Sequence, residues 1–393
     1  MPGSVIVAGA RTPIGKMQGA LAGFSAAELG GFAIRAALER SGVSPADVDY
    51  VLMGQVLLAG AGQLSARQAA VHGGIGLEVP ASVVNKVCLS GLNAIMQADH
   101  LIRAGDADIV VAGGMESMTN APYLLPDARA GMRLGDRTVV DSMMFDGLTC
   151  ALDKISMGAS TEKYGQAAGM TRAAQDEFSA LSHERAANAI KDGRFADEII
   201  AVEVPQRKGD PLLVDTDEGV RPGTTAESLG SLRPSFDKAG TVTAGNASQI
   251  SDGASAVVVM SKERAKSLGV TPLGEVVAYG MVAGPDTSLL HQPARAIMKA
   301  LHKANLSVND MALLEMNEAF ASVALASMAE LGVNEDRVNV NGGAIALGHP
   351  IGASGNRLAL TLLHELRRRG GGLGAAALCG GGGQGDALIV RSL

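Results

Sequence analysis

Apolar residues along the chain follow two rhythms. Between Ser25 and about Arg40 they recur at helical spacing (Leu29, Phe32, Ala33, Ala36, Ala37), and Val48-Asp-Tyr-Val-Leu-Met-Gly54 follows as a buried strand. A helix feeding a strand in this way is a unit of α/β architecture. The opening run, Met1-Pro-Gly-Ser-Val-Ile-Val-Ala-Gly-Ala10, has no basic residues and too short an apolar stretch for a secretory leader, so it reads as a first buried strand.

The same phrase returns 263 positions later, where Ala296-Ile-Met-Lys-Ala-Leu-His-Lys-Ala-Asn-Leu-Ser307 repeats Ala33-Ile-Arg-Ala-Ala-Leu-Glu-Arg-Ser-Gly-Val-Ser44. A second match sets Ser90-Gly91, His100, Arg103 and Val110-Val-Ala-Gly-Gly114 against Ser354-Gly355, His364, Arg367 and Ala377-Leu-Cys-Gly-Gly381, with the offset moving only from 264 to 267. Two copies of one helix and strand order predict a duplicated α/β unit and not a solenoid, which needs at least three short repeats. Between the copies the composition changes: Pro122, Pro126, Pro205, Pro211, Pro222 and Pro234 fall there, with more charges and isolated helical stretches such as Thr171–Lys191. Thr171 is its N-cap, and its charged positions are expected on a solvated face. Asp252-Gly-Ala-Ser-Ala-Val-Val-Val-Met260 then returns to a core strand. The expected division is residues 1–119 plus 246–270 for the first half, 120–245 for an inserted domain, and 271–393 for the second half.

Composition narrows the function. The 393 residues are 47% hydrophobic but only 3% aromatic with no Trp, so the core must rest on Ala, Val, Leu, Ile and Met, and the 51 glycines allow close backbone packing. A net charge of −7 argues against nucleic acid or an anionic membrane as partner, so an anionic ligand has to be held by local groups. Nothing is apolar over a length that spans a bilayer. Cys88, Cys150 and Cys379 are odd in number, far apart and without C-x-x-C, which disfavours a disulfide framework and a metal site and makes the cytoplasm the expected compartment.

Four residues stand out chemically. Cys88 lies where the β-branched run Val83-Val-Asn-Lys-Val gives way to a helix of small residues; the N-H groups and dipole of a helix start favour a thiolate, with Lys86 close enough to add to the field. A small buried hydrophobe is the plainer reading of such a cysteine, and its junction position favours the nucleophile. Cys379 ends an apolar strand and precedes Gly380-Gly-Gly-Gly-Gln-Gly385, whose backbone can approach a ligand. That run matches G-x-G-x-x-G, but strand-like Asp386-Ala-Leu-Ile-Val follows it where a dinucleotide site needs a helix. His349 sits before Pro350 among glycines, held out of helical conformation, whereas His72, His100, His183, His291, His302 and His364 have structural contexts. Asn317, at the end of a buried strand, needs a partner for its amide, such as a water or a substrate oxygen.

Asn85-Lys-Val-Cys-Leu-Ser-Gly91, Asn317-Glu-Ala-Phe320, Gly348-His-Pro350 and Cys379-Gly-Gly-Gly-Gly-Gln-Gly385, in this order, closely resemble the motifs of the thiolases, and supporting stretches (Gly9-Ala-Arg-Thr-Pro13, Gly113-Gly-Met-Glu-Ser117, Phe236–Ser248) extend the likeness over nearly the whole chain. The resemblance implies an α/β thiolase fold of two duplicated αβαβα-type halves about a pseudo-dyad, with the inserted loop domain. It implies reversible Claisen condensation of two acetyl-CoA to acetoacetyl-CoA and CoA, with coenzyme A a co-substrate and no tightly bound cofactor. By the family's motifs, Cys88 carries the acetyl group, His349 takes its proton and Cys379 exchanges the α proton. The N-H groups of Cys88 and Gly381 form one oxyanion site, and His349 with a water on Asn317 forms the other. Carried-over CoA contacts are Ala244, Ser248 and Phe320 along the pantetheine, and Leu148, Arg221, Ser228 and Phe236 around the nucleotide; Met157 narrows the acyl pocket. A homotetramer, a dimer of dimers joined near residues 121–141, is also implied, with Leu124, Leu125, Met132 and Leu134 either interface or loop core. Ser156 departs from the family's short-chain His-Met-Gly, and Gly284-Pro-Asp-Thr-Ser-Leu-Leu-His291 from its usual turn, which leaves chain length open. The alternatives are a longer-chain 3-ketoacyl-CoA thiolase of β-oxidation and a non-catalytic acyl-CoA or lipid carrier on the same fold.

Overall fold

The structure, a computed structural model, describes residues 3–393; Met1 and Pro2, the first two residues of the opening run, lie outside them. In chain order the first half contains β1 (Ser4–Arg11), β2 (Gly15–Lys16), α1 (Ala26–Ser41), β3 (Tyr50–Gly54), α2 (Ser65–His72), β4 (Ala81–Val84), α3 (Ser90–Ala104) and β5 (Ile109–Ser117). The intervening segment contributes α4 (Met157–Ala167), α5 (Arg172–Lys191) and the short α6 (Ala226–Gly230). The chain then returns through β6 (Ser251–Ser261) and α7 (Lys262–Leu268). The second half follows as β7 (Gly274–Ala283), α8 (Gln292–Ala304), β8 (Met311–Met316), α9 (Ala321–Leu331), α10 (Ala344–Leu347), α11 (Ser354–Arg368), β9 (Gly372–Gly380) and β10 (Gln384–Ser392).

Local chemistry sets these bounds. α1 starts on a capping box in which Ser25 and Glu28 satisfy each other's backbone N-H, and it stops at left-handed Gly42. Thr171 caps α5 as expected, but the solvated-face reading of that helix fails at Asp176. That carboxylate is 2% exposed and accepts hydrogen bonds from Arg172 Nε (2.6 Å) and Asn246 Nδ2 (2.9 Å). Periodicity marks Asp176 as polar but does not show that the loop carrying Asn246 covers it.

The sheet order is β8-β9-β10-β7-β1-β6-β5-β3-β4, with β2 on β6. β3 runs parallel to β5, which is antiparallel to β6, which is antiparallel to β1; β8, β9, β10 and β7 repeat that pattern from the other edge. The halves meet at a seam of two residue pairs, Val5–Glu275 and Ile6–Gly274. β6 is central to the first half, so that half is completed only after the intervening segment. Helices α3 and α11 share one core with strands of both halves, including Leu92, Ile95, Leu358 and Leu362. α1 and α2 pack on the far side of the first half, and α8 and α9 on that of the second.

What lets α3 and α11 approach is the absence of side chains. A Cβ at Gly114 would lie 2.0 Å from the Gly352 carbonyl oxygen, and those at Gly54 and Gly91 2.7 Å from the same atom. Gly114→Ala should therefore lose about 3 kcal/mol of stability or more, because backbone meets backbone and no rotamer relieves it. Gly23→Ala, with nothing within 4 Å of the new Cβ, should stay within about 0.5 kcal/mol of the parent. Urea midpoints measure both; equal midpoints would remove close packing as the reason for these glycines.

Candidate active site

Cys88 stands on a tight turn between β4 and α3. Val87 is held at φ +52°, a left-handed conformation costly for a β-branched residue. The turn is over-determined: Ser90 Oγ donates to the Val87 carbonyl (2.6 Å) and accepts from Lys86 N-H (2.8 Å), and Asn85 Oδ1 accepts from Val87 N-H (3.2 Å). Lys86 does not face the thiol. Its ammonium is bound to both carboxylate oxygens of Asp386 at 2.7 and 2.9 Å, tying the Cys88 turn to the strand after Cys379. Asn93 adds a third hydrogen bond to Asp386.

Cys379 is the next-to-last residue of β9, with its side chain fully buried. The following glycines are required by contact: a Cβ at Gly380 would meet Leu89 at 2.7 Å, and one at Gly383 the Asp286 carbonyl oxygen at 2.0 Å. This packing presents the Gly381 N-H to the Cys88 thiol, where it joins the N-H of Cys88 itself. Two N-H donors from opposite halves thus converge at one sulfur.

His349 is 6% exposed, and its main-chain N-H donates to the Gln249 carbonyl (3.1 Å) and Ser251 Oγ (3.2 Å). Gly348, at φ +109°, allows this, since a Cβ there would lie 2.3 Å from Ser251 Oγ. Ser354 Oγ donates its one proton to the Pro350 carbonyl at 3.0 Å, so at 2.6 Å from His349 Nδ1 it acts as acceptor and Nδ1 carries the hydrogen. Nε2 is then the free base, facing Asn317 Nδ2 at 3.4 Å. Asn317 Oδ1 is buried and has no partner among the described residues. The amide needs a further partner, as the sequence suggested.

Electrostatics correct one expectation. Burial pushes the Cys88 thiol up to about 12, outweighing the N-H groups of Cys88 and Gly381 that favour the thiolate. The helix field does not win, because removal from water costs a thiolate more than two donors return. Burial, then the nearby Cys88, push Cys379 up further. Burial, then Arg357, hold His349 down at about 3, so the ring is neutral at rest.

Cys88, His349 and Gly381 line a mostly apolar cavity of about 520 Å³. Its wall includes Leu148, Met157, Ala244, Ser248, Phe320, Arg221 and Phe236. Pairing of Ser248 N-H with the Ala319 carbonyl and of Ala321 N-H with Asn246 aligns the loop before β6 with the start of α9. Burial falls from His349 to Phe236, which is 43% exposed. Phe236 packs on Gly158, where a Cβ would sit 2.0 Å from its ring. Ser228 does not line the cavity; it is exposed on α6, its hydroxyl donating to the Thr225 carbonyl. Cys379 and Asn317 lie behind the cavity wall, fully buried. Sequence reasoning missed Ser354, five residues after His349, and Gln249, whose side chain carries no motif.

Models of the thiolase N-terminal and C-terminal domains match residues 4–263 and 270–392. A probable acetyl-CoA acetyltransferase of Mycobacterium tuberculosis is 59% identical over 392 residues, covering 100% of both chains. An acetyl-CoA acetyltransferase of Cupriavidus necator is 53% identical over 98% of each. The crystal structure of the Bacillus anthracis acetyl-CoA acetyltransferase superposes with a TM-score of 0.97 at 40% identity, covering 100% of this chain and 99% of that one. Two matching domains, the repeated halves and the meeting of Cys88, His349 and Cys379 lead to one assignment: the chain belongs to the thiolase family.

Proposed function

We propose that the protein is an acetyl-CoA C-acetyltransferase, interconverting two acetyl-CoA with acetoacetyl-CoA and CoA through an acetyl group on Cys88. The observation that carries this reading is the convergence of the Cys88 and Gly381 N-H groups on a nucleophile, beside a histidine whose Nε2 is free to take a proton. In the first half-reaction Cys88 Sγ attacks the thioester carbonyl while His349 Nε2 takes its proton, and the oxyanion is met by the two N-H groups. Coenzyme A leaves as a thiol with the proton of Cys379. The imidazolium of His349 and the thiolate of Cys379 remain, each offsetting the other's burial.

In the second half-reaction Cys379 removes the α proton of another acetyl-CoA, and the enolate oxygen is met by His349 Nε2-H and a water on Asn317. The carbanion attacks the acetyl carbonyl; Cys88 leaves and regains its proton from His349. Every group ends as it began, so the same residues run cleavage in reverse. Coenzyme A is held along Ala244, Ser248 and Phe320, with Arg221, Phe236 and Leu148 about its nucleotide. The segment 120–245 supplies most of these contacts. Arg221 provides the local cation that a net-negative protein needs for an anionic co-substrate.

Short acyl groups are favoured because Met157 Sδ lies 3.8 Å from a Cβ built on Gly381, next to the reacting sulfur. The competing reading is a longer-chain 3-ketoacyl-CoA thiolase. Thiolysis across a series of 3-ketoacyl-CoA lengths should peak at the four-carbon substrate, and a maximum beyond six carbons would overturn this choice. Labelled acetyl should be trapped on the protein and absent in Cys88→Ala. Cys379→Ala should still acetylate Cys88 but lose carbon-carbon bond formation by at least about 100-fold.

Ultraviolet thiolate absorbance, as the difference between the protein and Cys88→Ala, should show no ionised thiol from about pH 6 to about pH 9, since the raised folded pKa favours the protonated form. Half-titration below about pH 8 would mean that the helix field does pre-ionise Cys88. The protein is also proposed to be a dimer of dimers joined near residues 121–141. Leu125, Met132 and Leu134 are exposed there, Leu134 completely, and Leu124 is half-buried, which supports the interface reading over loop core. Light scattering after size exclusion should give four times the chain mass, falling to twice with Leu134→Glu; an unaltered tetramer would exclude this segment.

A further inference from the structure

We propose that His183 is a positioning residue for Arg221, fixing the place from which that guanidinium meets the phosphates of a CoA substrate; this rests on the reading of Arg221 given above. His183 lies within α5, 3% exposed, and its Nδ1 accepts the main-chain N-H of Arg221 at 3.2 Å. A ring nitrogen that accepts carries no proton, so the ring is neutral with its hydrogen on Nε2. Burial, followed by the charge of Arg221, holds the ring in that state, with its pKa brought down to about 4.

The rest of the loop shows what this bond does. The Arg221 carbonyl accepts from Thr224 N-H (3.3 Å) and Thr224 Oγ1 (2.8 Å), while Gln249 Nε2 donates to the Gly219 carbonyl at 3.0 Å. The backbone of Arg221 is thus held at both ends. Its guanidinium, by contrast, makes no hydrogen bond or ion pair among the described residues, and Arg221 is part of the wall of the cavity that reaches Cys88. A fixed base under an uncommitted cation suits an anionic group arriving from solvent, because less ordering remains to be done on binding. α5 also registers this loop with the catalytic floor: next to His183, Ser182 Oγ donates to Glu318 at 2.6 Å and accepts from Gly343 N-H at 3.0 Å, close to the start of α10.

A buried histidine that merely fills space would act on every substrate alike. His183→Leu and His183→Asn should be compared with the parent on acetoacetyl-CoA and on acetoacetyl-pantetheine, which lacks the nucleotide, with Arg221→Ala alongside. The Leu variant should raise KM for acetoacetyl-CoA about tenfold with turnover retained, and leave acetoacetyl-pantetheine unaffected; about tenfold is 1.4 kcal/mol of binding. Asn, whose Oδ1 can occupy the place of Nδ1, should return KM to within about twofold of the parent. Should the Leu variant not be obtained folded, His183→Ala carries the same comparison. Equal changes on both substrates, a loss confined to turnover, or no change at all would overturn the proposal. If Arg221→Ala raises KM for acetoacetyl-CoA and His183→Leu does not, the positioning role alone fails. If Arg221→Ala is itself without effect, the assignment of Arg221 fails and takes this proposal with it.

Discussion

One carbonyl oxygen, that of Gly352, sets the distance between the two halves. Gly54 at the end of β3, Gly91 in the first turn of α3 and Gly114 in β5 all face it with no Cβ, and Gly355 of α11 fits against the backbone of Leu92 in the same way. Because the starts of α3 and α11 touch here, the residues just before each helix are brought together. Those residues are Cys88 and His349. The Gly352 N-H is bonded to Glu116, whose carboxylate also accepts from Val56 and Leu57 N-H, so a single buried group ties two backbone segments to β5 around the contact. Burial raises the Glu116 carboxyl to about 7, and the three N-H donors are what favour its ionised form there.

A second tie acts directly on the chemistry. Gly381 and Cys88 come from different halves, and their N-H groups are useful only if the two loops keep register. The Lys86–Asp386 ion pair spans them, with Asp386 fully buried and Lys86 about a quarter exposed. Buried pairs of this kind contribute less to net stability than their distance suggests, because both charges lose water. What the pair supplies is geometry: removing either member would strand a charge and release the loop that holds the Gly381 N-H beside Cys88.

Much of this was legible in the chain. The repeat anticipated two halves with one strand pattern, the return to a core strand at Asp252 anticipated that the first half closes late, and the motifs carrying Cys88, Asn317, His349 and Cys379 do meet. What escaped depends on tertiary contact. Whether Cys88 is ionised is decided by how much water the second half removes, which no local motif records. The direction of Lys86 is set by Asp386, 300 residues away. The tautomer of His349 depends on where Ser354 sends its one proton, and the strain at Val87 on a turn whose sequence looks like ordinary strand. Asp176 and His183 read as parts of an unremarkable helix until the loops carrying Asn246 and Arg221 fold over them. Ser228, expected at coenzyme A from the family resemblance, is exposed on α6.

The resting site therefore holds no net charge on Cys88, Cys379 or His349, and burial is the first cause of this at each. In the proposed reaction charges arise there only as a pair, when acyl transfer moves one proton to His349 and another away from Cys379. Either ion by itself would bear the full cost of leaving water; together they attract across a low-dielectric pocket. The pairing makes reactivity conditional on a substrate being in place. An unpaired thiolate at buried Cys379 would be a strong base with nothing to offset its charge, whereas one formed beside an imidazolium is stabilised by it. The close glycine contact brings the halves together, and the burial that results keeps the two thiols protonated.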